Sequence, residues 1–198
     1  MNNVVANTAL KTILAVIIAL FIAFGIAALG FPQHMATMFE NMGAYSFATG
    51  FSSLRYTYTR EIGDLARCVE DSILDGDDSN VASFGGRLLA DPDEFDSYSA
   101  TRTDGVWEKY DYRQYILGAI ASARYNTGDK EGAIAAVRYA LDSVTGFPVP
   151  NAAGNLAEAL TATTDTDTKA KLYDIVSSRT PEEGQEIYYT SVLKALSN

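Results

Sequence analysis

Apolar residues run without interruption from Ile13 to Phe31, and no second run of that kind follows. These 19 residues carry no charge, and at about 1.5 Å of rise per residue they reach roughly 28 Å, one bilayer core. Beyond them the pattern turns helical, with few strand signals. Phe47, Phe51, Leu54, Tyr58, Leu65, Val69 and Ile73 step by three, four or seven residues, with Ile62 filling the gap after Tyr58. That stripe predicts one long helix from about Thr49 to Leu74, preceded by helical turns from Met35 onward. Asp75-Gly76-Asp77-Asp78 ends it, with glycine supplying the left-handed stop.

A short helix is expected from Ser79 to Ala90, closed by Asp91-Pro92. Residues 93–105, rich in Ser, Thr and Asp, read as an exposed loop. The helical pattern resumes with Trp107, Tyr110, Tyr115, Ile116 and Ile120 and breaks at Asn126-Thr127-Gly128. A helix from Asp129 to Val144 carries Ala133, Ile134, Val137, Ala140 and Leu141 on one face, and Phe147-Pro148-Val149-Pro150 then forms a corner. Three shorter helices follow: Asn151 to Thr161, Asp167 to Ser177, and a last one opened by Thr180-Pro181-Glu182-Glu183. The last start combines an N-cap, a proline at the first position and a glutamate at the third, and its helix is expected to bury Ile187, Tyr188, Val192 and Leu196.

Lys11 is the only charged side chain before Glu40, and the next cations beyond the apolar run are Arg55 and Arg60. The positive flank is therefore the N-terminal one, which predicts the N-terminus in the cytoplasm and the body outside the cell membrane. The domain plan is a short cytoplasmic segment, residues 1–12; a transmembrane anchor, 13–31; a membrane-proximal helical connector, 32–48; and a helical domain, 49–198. A cleaved secretory signal is the competing reading, since Ala28-Leu29-Gly30 fits a small-x-small site. The run is longer than the usual core of about 7–15 residues, however, and Phe31-Pro32 would follow the cut. Within the run Ala15, Ala19, Ala23 and Ala27 recur every fourth residue, a ridge through which two copies could pair as a homodimer.

Charge narrows the partners. Without Lys11 the chain has 14 Lys and Arg against 25 Asp and Glu, and no basic cluster, which excludes a phosphate backbone and hence nucleic acid. A single cysteine, Cys68, rules out an internal disulfide, and its place in a helical pattern predicts burial.

From Tyr115 to Leu141 the residues make a recognisable sequence: a helix, then Tyr125-Asn126-Thr127-Gly128-Asp129, then Ala133-Ile134 and Tyr139-Ala140-Leu141. This resembles a tetratricopeptide repeat, in which a Gly-Asp turn joins paired helices and small alanines let them pack closely. Ala121, Ala133, Ala140 and Leu141 stand where the family expects them. Departures are Arg124 at the family's first-helix aromatic, Val137 at its second, and a late proline, Pro148. A looser echo spans Leu74 to Pro92, with Asp75-Gly76-Asp77, Leu88-Leu89 and Asp91-Pro92. The resemblance implies an all-α fold, one transmembrane helix followed by an α-solenoid of antiparallel helix pairs, and a concave groove that binds another protein. By that analogy Tyr112, Arg113, Tyr115 and Arg124 line the binding face.

Catalytic chemistry has little to stand on. His34 is the only histidine and lies three residues past the apolar run, so zinc sites, Cys-His pairs and a Ser-His-Asp triad lack their members. Asp75, Asp77 and Asp78 do not continue as a calcium loop, because Asn80 and Gly86 hold its sixth and twelfth positions. These acids, with Asp91, Asp93, Glu94 and Asp96 and with Asp165 and Asp167, fall at helix ends and are expected to cap them. No catalytic residue, cofactor or metal is assigned. The expected function is a membrane-anchored extracytoplasmic scaffold or assembly factor for another protein. The alternatives are a secreted or wall-active enzyme using an Asp/Glu pair, although the Glu-Ser mark of lytic transglycosylases is absent, and a structural homo-oligomer.

Overall fold

The structure, a computed structural model, describes residues 2–103, 105–108, 110–143, 151–181 and 183–197. Among the described residues there are eleven α-helices, one 3-10 turn and no strand. In chain order the helices are α1 (Asn2–Gly30), α2 (Pro32–Asn41), α3 (Tyr45–Thr59), α4 (Ile62–Asp75), α5 (Asp78–Leu88) and α6 (Pro92–Ala100). After the 3-10 turn Gly105–Glu108 come α7 (Tyr112–Asn126), α8 (Lys130–Ser143), α9 (Asn151–Thr161), α10 (Thr166–Ser177) and α11 (Glu186–Ser197). The predicted corner Phe147–Pro150 and Val144 lie outside the described residues, as does Glu182.

Aspartates start the helices. Asp77, Asp91, Asp111 and Asp165 each accept a hydrogen bond from the backbone N–H three residues on, at 3.0–3.2 Å, the standard satisfaction of an orphan donor. One acid in each of the three expected groups, Asp77, Asp91 and Asp165, thus supplies a cap. Gly76 (φ 72°) ends α4 and Gly128 (φ 93°) turns the chain between α7 and α8, both in the left-handed region that glycine enters without a Cβ penalty.

The core centres on α7. Tyr112, Gln114, Ile116, Leu117, Gly118, Ile120, Ala121 and Ala123 are all buried, so this helix is enclosed over most of its circumference. It packs on α4, α5, α6, α8 and α9, while α10 and α11 join through α8 and α9. Close approach is paid for in side-chain size. A Cβ on Gly85 of α5 would stand 2.5 Å from Ile120 Cγ1, and one on Gly118 would stand 2.5 Å from Asn155 Nδ2 on α9.

Four expectations are corrected. The long helix from Thr49 to Leu74 is two, because Arg60 takes a left-handed conformation (φ 58°) and Thr59 caps the break, accepting from the Glu61 N–H at 3.2 Å. The boundary drawn at residue 49 falls inside α3. The loop at 93–105 contains α6: Asp91 caps it, Pro92 occupies its first turn and Phe95 is fully buried. The last helix begins at Glu186 rather than Thr180, since Gly184 turns at φ 88°, and Ile187 is 85% exposed while Tyr189 is buried in its place.

Gly85→Ala should cost about 1–3 kcal/mol, because stiff, fully buried Ile120 must move to admit the methyl group. Ile120→Ala should restore that space, so the double variant loses less than the sum of the two single losses. Denaturant unfolding of the detergent-solubilised protein measures all three.

Candidate functional site

The second half of α4 turns an unusual face to its neighbours. Arg67, Glu70 and Asp71 follow one another at helical spacing, with Asp64 one turn before them, while Leu65, Cys68 and Val69 fill the apolar core. Arg67 grips the Glu40 carboxylate of α2 with two hydrogen bonds, at 2.5 and 2.6 Å, and reaches Thr37 Oγ1 at 2.8 Å. Asp71 is buried beneath this pair and accepts a hydrogen bond from Ser52 Oγ of α3 at 3.2 Å. Asp64 is held by Arg55 Nε at 2.9 Å and by Thr59 Oγ1 at 2.6 Å.

On the other side, the Tyr112 hydroxyl donates to Glu70. Arg102 covers the Tyr112 ring at 5.2 Å, and its guanidinium approaches Glu70 at 3.9 Å. Tyr98 and Trp107 meet the same ring edge-on, at 6.0 and 5.0 Å. Arg102 Nε is buried without a hydrogen-bond partner among the described residues.

Burial sets the proton affinities. Asp71 is pushed up to about 7, first by burial and then by the adjacent Glu40 carboxylate, against the opposing hydrogen bond from Ser52. Burial also raises Glu70, opposed by Tyr112 and Arg102, and lifts the Tyr112 phenol well above its ordinary value.

Two cavities open on this cluster. One, of about 580 Å³, is lined by Glu40, Asp64, Arg67, Glu70, Asp71 and Arg102 among others. The second, of about 410 Å³, lies between Asp96, Arg102, Trp107, Tyr112 and Arg113. A third hollow of about 380 Å³ is apolar, formed by Leu74, Val106, Trp107, Tyr110 and Tyr115. The site thus joins a carboxyl group whose proton affinity is raised by burial, a half-buried guanidinium whose Nε lacks a partner among the described residues, and a neighbouring apolar surface.

Of the four residues assigned to a binding face, Tyr112 and Arg113 line the cavity of about 410 Å³, Tyr115 lines the apolar hollow and Arg124 lies apart from them. Tyr112 is in the core, Arg113 pairs with Asp96 of α6 at 3.0 Å, and Tyr115 packs half-buried against Trp107 at 5.2 Å. Arg124, about 18 Å along the helix from Tyr112, donates to the Gly132 carbonyl at 3.1 Å. Of the alanine ridge, Ala15, Ala19 and Ala23 are exposed along α1 and Ala27 is half-buried. The polar cluster of α4 escaped the sequence reading because its charges interleave with an apolar stripe. Its signal is visible afterwards: Asp64, Arg67 and Asp71 recur at i, i+3 and i+7. The chain matches no family model, no curated protein and no solved structure.

The pH dependence of stability follows from Asp71. The native protein binds this proton near pH 7, whereas an unfolded aspartate binds it only near pH 4. Between these values the native state holds more protons, so stability falls as pH rises. Thermal unfolding should therefore shift upward as pH is lowered from 8 to 5. Asp71→Asn should flatten that slope and raise Tm at pH 8 by about 2–8 °C, at about 2–4 °C per kcal/mol relieved.

Proposed function

We propose that the chain is a single-span membrane protein whose helical body, displayed on the outer face of the cell membrane, serves as a scaffold for another protein. The observation that carries this reading is α1. Its segment Asn7–Gly30 is 24 residues long and apolar, and its most apolar stretch is not buried by any other part of the fold. A helix of this composition needs a hydrocarbon surround that the rest of the chain does not supply. The N-terminal lysine flank favours a cytoplasmic N-terminus.

Support for a binding role comes from the exposed apolar surface around the third hollow. Leu74, Val106 and Tyr110 are each more than half exposed beside Trp107 and Tyr115, a composition that suits a protein contact. The resemblance of α7 and α8 to a tetratricopeptide hairpin points the same way: Gly128 turns the chain and Asp129 caps α8 by accepting from the Gly132 N–H at 2.9 Å. A second reading, a carboxylate-based hydrolase, is favoured by Asp71, whose proton affinity near neutrality suits a general acid. Against it, Glu40 is committed to Arg67.

Topology is testable with one thiol. Cys68 is fully buried, and burial pushes its thiol up to about 12, so it stays unreactive in the folded protein. Ile187→Cys, placed on the most exposed apolar side chain of α11, should be labelled by a membrane-impermeant maleimide in intact cells. Labelling only after the membrane is opened would reverse the orientation. For the scaffold, a photo-crosslinker at Tyr110 should give one discrete adduct in native membranes, and the same group at exposed Lys171 should give none. Equal smears at both positions would count against a partner at this surface.

A further inference from the structure

The helix α3 is built inside out. Its buried positions are Ala48, Thr49 and Ser52, small or polar, and they face the protein. Its aromatic and large aliphatic residues point away. Phe47 is 64% exposed and Tyr58 65%, with Phe51 and Leu54 half-buried between them and open Gly50 on the same stripe. Positions 47, 50, 51, 54 and 58 share one face of a 3.6-residue helix, so the apolar side is continuous. A water-facing helix would show the reverse arrangement.

The preceding helix extends this surface. α2 buries Met35 and Ala36, while Phe31, Met38 and Met42 remain exposed around it. Phe39 stacks on both Phe47 and Phe51, at 5.2 and 5.5 Å, so the two helices share one aromatic layer. Between Lys11 and Arg55 the only charged side chain is Glu40, and it is turned inward to Arg67. Arg55, within α3, is likewise turned to Asp64, so the Lys, Arg, Asp and Glu side chains of the hairpin are paired with the body.

The layer is also continuous with the candidate span. Phe51 meets Phe24 of α1 edge-on at 6.5 Å. Phe24 and Phe39 lie fifteen residues apart, roughly 22 Å along a straight helix, yet both touch Phe51. The chain must bend at Phe31-Pro32 for this to happen, and Phe31 has non-helical angles there (φ −139°, ψ 54°). The bend folds α2 and α3 back beside the last turns of α1. With 10 and 15 residues they are too short to cross a bilayer.

We propose that α2 and α3 form an interfacial hairpin that lies in the bilayer surface, with Phe47, Phe51, Leu54 and Tyr58 turned into lipid. This rests on the reading of α1 as a membrane span. Burial of the aromatic face among acyl chains replaces the missing protein contact, and the Tyr58 hydroxyl and exposed Arg60 reach to the headgroup level. The body is then fixed against the membrane rather than swinging on a tether.

Single tryptophans report this in the full chain. In a Trp107→Phe background, Phe47→Trp, Phe21→Trp and Ile187→Trp are each reconstituted in phosphatidylcholine/phosphatidylglycerol vesicles with brominated acyl chains. Phe47→Trp and Phe21→Trp should each lose about half their emission or more, and Ile187→Trp should keep its emission. Met42→Trp, on the exposed turn, is a second reporter should Phe47→Trp perturb the fold. Quenching at 21 without quenching at 47 or 42 would overturn the hairpin and leave the span standing. Absence of quenching at all three would overturn both. Unquenched Phe47→Trp together with disulfide dimers of Met42→Cys in a Cys68→Ala background would show a second copy on this face, and would also overturn the proposal.

Discussion

The enclosure of α7 is the constraint on which the rest of the body depends. Fifteen residues with eight buried over most of the helix circumference need neighbours on several sides, and α4, α5, α6, α8 and α9 supply them. Those contacts are close because small residues stand at the crossings, Gly85 against Ile120 and Gly118 against Asn155. The later helices α10 and α11 do not touch this axis strongly but fasten to α8 and α9. A chain without disulfides holds its shape by this packing, and buried Cys68 contributes only as a small apolar side chain.

Much of this was legible from short-range chemistry. Gly76 after a carboxylate, Gly128 before Asp129, and the aspartates that open α5 and α10 all do what their backbone preferences dictate. Where the reading went wrong, a rule was present and outweighed. Asp91-Pro92-Asp93-Glu94 is a helix start as good as any in the chain, yet the Ser and Thr that follow suggested a loop; Phe95 buried at 0% exposure decides for helix. Thr180-Pro181 has equally good capping residues, but Gly184 takes the chain out of helix before Glu186. At Arg60 no glycine marks the break at all. A left-handed arginine is held there by Thr59 and by its own stacking over Tyr56 at 5.6 Å.

The outward face of α3 and the polar cluster of α4 show the same division. Periodicity located an apolar stripe through Phe47, Phe51, Leu54 and Tyr58, correctly as a stripe. It could not say what would cover it, because lipid and protein core select the same residue types. Only the burial of Ala48, Thr49 and Ser52 on the opposite side shows that the stripe faces outward. The polar cluster of α4 was hidden for the complementary reason. Its charges look like a solvated helix face until Glu40, 27 residues nearer the N-terminus, is found paired with Arg67.

That pair ties the two halves of the molecule together. Glu40 belongs to the hairpin next to α1, while Arg67, Glu70 and Asp71 belong to the helix that packs on α7. Arg67 hydrogen-bonds Thr37 and Glu40 of α2, and Glu70, one turn further along α4, accepts from the buried hydroxyl of Tyr112. Buried ionic contacts of this kind add little net stability, since desolvation offsets most of the attraction. Their geometric demand is strict, however: a bidentate Arg–carboxylate pair tolerates little displacement of either helix. The cluster therefore acts as a joint of defined angle between the hairpin next to α1 and the α7 core. On the proposed reading of a scaffold anchored by α1, such a joint would present a partner with a surface already oriented on the membrane.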